Sequence, residues 1–322
     1  MGAFLLRRFV FAVVLLVCTS STALLLTRLA PGDLTSQLGP IASRSEIETT
    51  RARFDLDRSP LTQWALWATR AIRLDFGDSF LFNRPVGPLV IRAAGNTAAL
   101  AVVALAIATL LGISLGILTG SRQGSRLAAF VGMVSMVCVS LPPLLTSLVF
   151  VFIAARTGWL PAGGMSSAGA SDMGWVAWIA DVAWHLPLPA LALAVPIAAV
   201  FERLQSQSMA DAVRQPFVIA AVARGVPSRD LILRHAWPAS VRPLCAVYGL
   251  VIGALLSGSF IVEYVTSWPG LGQLMYQALR GRDVYLVAAC AAMGAVFLAV
   301  GTLAGDLLLA AADPRVREGD GA

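Results

Sequence analysis

Long uncharged stretches dominate the pattern of apolar and polar positions along the chain. Six of them are long enough to cross about 30 Å of hydrocarbon, which takes roughly 17–25 helical residues. They are Phe9–Thr27, Thr97–Thr119, Leu127–Ala155, Val182–Phe201, Pro243–Val262 and Val284–Gly305. Backbone groups in lipid must be hydrogen-bonded internally, and none of these runs alternates apolar and polar residues as barrel strands do. The pattern therefore predicts an all-α polytopic membrane protein with six transmembrane helices.

Two of the runs need a closer description. The third contains Pro142-Pro143, which predicts a kinked or tilted helix. The first follows Arg7-Arg8 as a secretory signal would, but no small-residue cleavage site comes after it, so we expect a retained helix. The predicted regions are a first transmembrane helix at 1–28, an extramembrane segment at 29–96, a five-helix core at 97–312 with a loop at 202–242, and a tail at 313–322.

Composition and charge agree with a lipid environment and give an orientation. Apolar residues make up 57% of the 322 residues and charged residues only 13%, about half the share in soluble domains. With the N-terminus inside, the cytoplasmic segments carry 12 arginines and the short outer loops three, Arg156, Arg280 and Arg282. The long segment between the first two spans is exempt from this comparison because loops beyond roughly 60 residues cross regardless of charge. Both termini are therefore predicted to be cytoplasmic.

Several kinds of chemistry are excluded by residue types. All 24 basic residues are arginine, so neither a GxxxxGK[ST] phosphate-binding loop nor a Schiff-base lysine exists in this chain. The four cysteines lie singly in separate apolar runs and there are two histidines, so we expect no metal site. An intramembrane hydrolase is also disfavoured, because the predicted topology places His185 and His235 on opposite sides of the membrane.

The segment Glu202–Arg242 is the largest predicted cytoplasmic loop. Its run Phe217–Ala223 is apolar but too short to span, so it needs a covering surface. A soluble partner would bury it, and the alternative is a helix lying in the lipid headgroups. Gly225 ends the run, either as an ordinary loop glycine or as a hinge between two short helices. Gly120 is interpreted as a loop glycine whose replacement by valine has little effect.

Five motifs resemble one known family. Residues Phe217–Pro227 with Arg234–Ala236 resemble the cytoplasmic "YVRTARAKGL…RHALRNA" loop of the inner-membrane permeases of dipeptide and oligopeptide ABC importers. The others follow in order along nearly the whole chain: Leu29–Asp33 is similar to "LAPGD", Asp75–Ser79 with Arg84–Val86 to "GDLGTS…GRPV", Val262-Glu263 with Ser267–Gly272 to "VE…SWPGLG", and Asp313–Arg315 to "DPR". The chain departs from the loop motif at Phe217, Ala220 and Arg224, where the family has tyrosine, threonine and lysine, and at Trp237–Val241.

The resemblance implies a fold and a set of partners. The fold is that of a type I ABC importer permease with a periplasmic insertion between helices 1 and 2, in the bacterial inner membrane. A second permease subunit would complete the pathway for di- or oligopeptides, an extracytoplasmic binding protein would deliver them, and two ATP-binding subunits or domains would hold ATP and Mg²⁺. This chain would then be non-catalytic and carry no cofactor, with membrane lipid around it and no nucleic acid. Relatives that carry nickel, glutathione or another small solute keep those substrates open.

The resemblance also assigns roles to residues. The loop would dock onto the ATPase subunits through a coupling set: Phe217, Ala220, Ala221, Ala223, Arg224, Gly225, Val226, Arg234 and His235. Glu263, Trp268 and Gly270 form a candidate periplasmic gate, with solvation of a helix end as the equal alternative for Glu263. An ion-coupled secondary transporter is the rival function, since Glu263 and Asp306 border two spans. Such a carrier has no need of a large cytoplasmic loop with a short apolar helix.

Overall fold

The computed structural model describes residues 2–29, 45, 48–49, 57–170 and 174–312. Most of the "LAPGD" motif, the "DPR" motif and the predicted tail lie outside these residues. The helices are α1 (Gly2–Leu29), α2 (Pro60–Ala71), α3 (Val86–Ser121), α4 (Arg126–Ser140), α5 (Pro143–Thr157), α6 (Trp175–His185), α7 (Pro187–Val213), α8 (Pro216–Ala223), α9 (Ser228–Asp230), α10 (Trp237–Ser240), α11 (Arg242–Val265), α12 (Leu271–Arg280) and α13 (Val284–Ala312), with a π-helix at Leu231–Ala236. Two short strands, β1 (Asp78–Ser79) and β2 (Arg84–Pro85), pair antiparallel and are the exception to the predicted all-α class.

Proline and serine mark where several helices begin. Pro60, Pro143, Pro187 and Pro216 stand in the first turns of their helices, where a backbone N–H has no helical partner to lose. Ser125 accepts a hydrogen bond from the amide of Ala128 at 3.1 Å and so caps α4. These starts place the helices largely where the apolar runs predict them.

The membrane-crossing helices agree with the prediction in kind and differ in length. By length and composition, four helices in the described part can cross a membrane, and up to six if each of two bent pairs counts as one span. Helix α3 has 36 residues, which corresponds to about 54 Å. It therefore extends well beyond the predicted span Thr97–Thr119 and includes the more polar turns before that run.

The predicted third span is broken rather than kinked. Helices α4 and α5 meet at 108°, and each has 15 residues, or about 22 Å, too short to cross alone. A residue before proline is driven out of the helical region. Both Leu141 and Pro142 precede a proline and both are extended, with ψ of 120° and 150°. Two extended residues in succession end one helix and redirect the next, whereas a single proline only bends it.

The first compact unit comprises Met1–Thr97 with Pro269–Ala299. Trp64 and Trp67 are three residues apart, a spacing that places both on one face of helix α2. Trp67 is buried in the core, and the indole N–H of Trp64 donates to Ser21 Oγ on α1 at 2.7 Å. Asp283 precedes α13 and fastens the β-hairpin. Its Oδ2 accepts from Ser79 Oγ at 2.6 Å and from the Leu81 amide at 3.1 Å, while Oδ1 accepts from the Leu286 amide at 3.2 Å.

The second unit comprises Ala98–Trp268 with Val300–Ala322, and α7 is central to it. Gly112, Gly116 and Gly120 lie four residues apart on α3 and let its backbone approach α7 closely. A Cβ built on Gly116 would lie 2.6 Å from Gln205 Cβ, and one on Gly120 would lie 2.7 Å from Met209 Cβ. These distances are shorter than side chains tolerate, so the two helices are packed with almost no gap. Phe201 of α7 also stacks on Tyr248 of α11, with ring centroids 5.0 Å apart.

A proline inside α7 is compensated by a neighbouring helix. Pro196 has no N–H to donate to the carbonyl of Ala192, one turn earlier. The hydroxyl of Thr146 on α5, which is buried, donates to that carbonyl at 3.0 Å and lies equally close to the Pro143 carbonyl of its own helix. Side-chain hydroxyls of adjacent helices commonly satisfy backbone groups that a proline leaves open in membrane helices.

Candidate functional site

The predicted loop folds as two short helical runs on either side of Gly225. The first is α8, which ends at Ala223. Gly225 then takes a φ of +79°, its amide donates to the Val222 carbonyl at 2.9 Å, and the Val226 amide donates to the Ala221 carbonyl at 3.2 Å. This pair of bonds around a left-handed residue is a Schellman motif, which ends a helix and satisfies its last carbonyls. The sequence predicts this two-helix arrangement.

The second run is continuous but changes its winding. It begins with α9, widens into the π-helix Leu231–Ala236 and ends with α10. Pro238 is the second residue after the π-helix and lacks the N–H that an α-helix would direct to the carbonyl four residues back. At the π turn the Trp237 amide instead donates to the Ile232 carbonyl, five residues back. The wider turn carries the chain past Pro238 and into α11.

One side of this segment is anchored in the second unit. Val218 and Ala236 are buried and, with Met209 and Ala212 of α7, form a small apolar core beneath the two runs. Ala221 is fully buried on the same helix as Val218. The side chain of Gln205 also reaches the segment, where its amide donates to Ser240 Oγ at 2.8 Å. Ala221, one of the predicted coupling residues, therefore packs inward and supports the surface from below.

The other side is an exposed apolar surface. Phe217, Ile219 and Val222 are 46%, 59% and 57% exposed, respectively, which is unusual for three large apolar side chains on one helix of eight residues. Ala220 and Ala223 are exposed on the same helix, and Leu233 and Trp237 are partly exposed on the second run. We call the exposed residues of α8, Phe217, Ile219, Ala220, Val222 and Ala223, the α8 face. An apolar face of this kind outside a membrane span is typical of a docking site.

Positive charge borders the α8 face. Arg224, Arg229 and Arg234 are exposed, while Val226 and His235 are half-buried. Arg234 pairs with Asp230 at 3.6 Å, but both side chains are exposed, so this pair contributes little to stability. The remaining charge favours a partner with an acidic rim.

The candidate gate residues fall in two places. Glu263 and Trp268 are fully buried in the second unit at the end of α11. Ser267 between them adopts a left-handed φ of 53°, the Ser267 amide donates to the Tyr264 carbonyl at 3.3 Å, and the Trp268 amide donates to the Glu263 carbonyl at 2.8 Å. Burial of Glu263 does not fit a simple solvated helix end. A gating role for these residues stays a prediction.

Gly270 belongs to the first unit, immediately before α12. Its neighbours are bonded to the N-terminal third of α3: Asn96 Nδ2 donates to the Pro269 carbonyl at 2.8 Å, and the Leu271 amide donates to Thr97 Oγ1 at 2.7 Å. The "SWPGLG" motif is thus a tight turn held by side chains on both sides of Gly270.

Comparison with known proteins identifies the family. A family model described as "Binding-protein-dependent transport system inner membrane component" matches residues 112–318, which include the two helical runs and the turn before α12. The chain belongs to this family. It is therefore an inner-membrane component of a transport system that depends on a binding protein, and its helices are those of a type I ABC importer permease.

Individual relatives match over nearly their full length. The oligopeptide transport system permease protein AppB of Bacillus subtilis is 27% identical over 319 residues, covering 98% of this chain and 99% of the relative. The oligopeptide transport system permease protein OppB of Mycobacterium bovis is 31% identical over 326 residues, covering 98% and 99%.

Sequence reasoning missed some residues of this region and misplaced one. The interpretation of Gly120 as a loop glycine is wrong, because it lies on α3 and an added Cβ would collide with Ser206 and Met209. The four-residue spacing of Gly112, Gly116 and Gly120 was the signal for this contact. Gln205 and Ser240 carried no signal, because their contact joins positions that neither spacing nor motif relates. Within the described residues, no group of three or more His, Cys, Asp or Glu side chains is placed to hold a metal.

Proposed function

We propose that this inner-membrane component is a permease subunit of an ATP-driven importer and forms, with a second permease subunit, the pathway for di- or oligopeptides. The α8 face carries the proposal. A membrane protein that moves solute by its own ion coupling has no use for an exposed apolar helix bordered by arginines beside its spans. A permease driven by separate ATPase subunits requires such a docking surface. The relatives named as oligopeptide permeases, which match over the full length, support the choice of peptide as the solute.

The residue types in this chain indicate which subunits bind ATP. ATP and Mg²⁺ are bound by two partner subunits or domains, since this chain has no lysine for a phosphate-binding loop and functions as a non-catalytic, cofactor-free subunit. An extracytoplasmic binding protein delivers the peptide from the other side. Both termini and the α8 face are cytoplasmic in this proposal, as the distribution of arginines favours.

Transport by the complete assembly tests this function. Proteoliposomes would contain the chain with its second permease and ATPase subunits, the binding protein on the outside and ATP inside. We expect a labelled tripeptide to accumulate only when this chain and ATP are both present. Labelled nickel and labelled glutathione, supplied in parallel, distinguish the alternative substrates. Uptake of either without uptake of any di- or oligopeptide would contradict the peptide assignment. Uptake driven by an ion gradient without ATP would contradict the importer class.

A further inference from the structure

The contact between Gln205 and Ser240 joins residues 216–240, the two helical runs that we call the coupling segment, to the transmembrane helices. Gln205 is on α7 and is fully buried, and Ser240 closes the second helical run. Gln205 Nε2 donates to Ser240 Oγ at 2.8 Å, and Ser240 Oγ lies 3.0 Å from the Trp237 carbonyl and 3.5 Å from Met209 Sδ. In addition to the apolar core beneath the two runs, this hydroxyl forms a polar link between α7 and the segment that bears the α8 face.

The far side of α7 at this level is in direct contact with α3. Gly116 faces Gln205 and Gly120 faces Met209, both at distances that leave no space for a side chain. Displacement of Gln205 or Met209 must therefore displace α3 as well, because close-packed elements transmit strain rather than absorb it. Gln205 and Met209 of α7 thus lie between Ser240 of the segment and the two glycines of α3.

The buried side-chain amide of Gln205 lowers the stability of the fold. Its Oε1 is buried and, among the described residues, accepts no hydrogen bond. A buried acceptor left open costs about 1–3 kcal/mol, so an apolar side chain of the same size would pack there more favourably. An amide has one property that such a side chain lacks: it can both donate and accept. Ser240 can accept from Nε2, as it does here, or donate to Oε1 when the segment turns.

We propose that Gln205 and Ser240 form a joint that passes movement of the coupling segment to α7 and, through Gly116 and Gly120, to α3. Gln205 is a positioning residue in this role: it touches neither solute nor nucleotide. The proposal rests on the proposed function, since it requires that the segment moves with the ATPase subunits.

The test compares peptide import with ATP hydrolysis in the reconstituted assembly. Gln205→Met and Ser240→Ala each remove the bond with little change in volume. We expect both variants to retain their ATPase partners and basal hydrolysis, and to import about five- to tenfold fewer peptides per ATP, the factor that one buried hydrogen bond allows. The double variant should be no worse than either single variant, because the bond is lost only once.

Tyr248→Phe is the matched control. It removes a hydrogen bond of 2.6 Å between Tyr248 and Thr109 in the same unit, on helices outside the segment, and keeps the ring that stacks on Phe201. Its ratio of import to hydrolysis should equal that of the wild type. An unchanged ratio in both joint variants overturns the proposal. Loss of subunit association in those variants also overturns it, because this is the result for a bond that only maintains the fold. Failure of the wild-type assembly to import peptide would instead count against the proposed function.

Discussion

At the scale of single residues, Gly225 determines how the coupling segment turns. Its φ of +79° is a left-handed conformation that costs other L-residues roughly 1–2 kcal/mol and is least accessible to β-branched ones. No atom lies within 4 Å of the position that a Cβ would take, so a substitution there acts through the backbone and not through a collision. A substitution at Gly225 therefore disturbs the turn without disturbing the apolar core beneath the two runs.

Gly225→Val should therefore weaken docking of the ATPase subunits without unfolding the transmembrane helices. The backbone cost of about 1–2 kcal/mol reduces the docked conformation by a factor of roughly 5–30. We expect peptide uptake and co-purification of the ATPase subunits to fall together. Gly225→Asn should retain most of both, because asparagine tolerates the left-handed region.

Gly124→Val is the control for Gly225→Val. Gly124 has a φ of +83°, equally open surroundings and a place in the turn between α3 and α4, so it carries the same strain outside the segment. Normal uptake by Gly225→Val would show that the turn does not serve coupling. Equal loss of peptide uptake in Gly225→Val and Gly124→Val would show that strain in either turn impairs transport, whether or not the turn lies in the coupling segment. The change Gly120→Val is unsuitable as a control, since Gly120 is a contact between α3 and α7.

The glycines also show what a sequence can reveal at this scale. Gly225 was identified as a hinge because it ends a short apolar run inside a known motif, and both features are local. The role of Gly120 depends on what packs against it, which only its four-residue spacing from Gly116 and Gly112 indicates. The bond between Gln205 and Ser240 joins residues 35 positions apart in no regular pattern, and the tertiary structure alone reveals it.

At the scale of elements, hydropathy predicted the transmembrane helices better than their ends. Helix α3 continues beyond its apolar run because backbone hydrogen bonding in a helix does not depend on apolar side chains, whereas hydropathy detects only the residues suited to lipid. The break between α4 and α5 follows from a rule that acts on the residue before each proline. The i, i+3 spacing of Trp64 and Trp67 indicates the amphipathic character of helix α2 but not its ends.

The Thr146 hydroxyl replaces the hydrogen bond that Pro196 cannot donate, and this contact between two helices can be tested. Thr146→Val removes the hydroxyl that donates to the Ala192 carbonyl and leaves that carbonyl open in a buried position. We expect the solubilised chain to lose about 1–2 kcal/mol of stability, measured as a lower midpoint of thermal unfolding.

Two further variants check that prediction. Thr146→Ser keeps the hydroxyl and should restore the midpoint. Thr157→Val lies on the same helix, where its exposed hydroxyl donates to the Ile153 carbonyl one turn back and accepts from the Trp159 amide at 3.3 Å. Because water can replace both of these exposed bonds, this variant should leave the midpoint nearly unchanged. A midpoint for Thr146→Val equal to that of Thr157→Val would contradict the role assigned to this hydroxyl.

At the scale of the whole molecule, the account depends on which protein covers the α8 face and on which side of the membrane it does so. The arginine count favours a cytoplasmic α8 face. The family motif and the exposed apolar helix, which share residues, favour docking of this face to ATPase subunits. Trp159 offers a reference on the opposite side: it is 75% exposed and follows α5 in a segment predicted to lie outside. Val222 on the α8 face is similarly exposed.

Site-specific photo-crosslinking from these two positions is the most direct measurement. A photoreactive amino acid at Val222 or at Trp159 would be illuminated in the assembled complex in membranes, and the crosslinked products identified. The account predicts a crosslink from position 222 to an ATPase subunit, changed in yield by ATP, and none to that subunit from position 159. An assembly that hydrolyses ATP but gives no crosslink from position 222, or gives the ATPase crosslink from position 159, would contradict it.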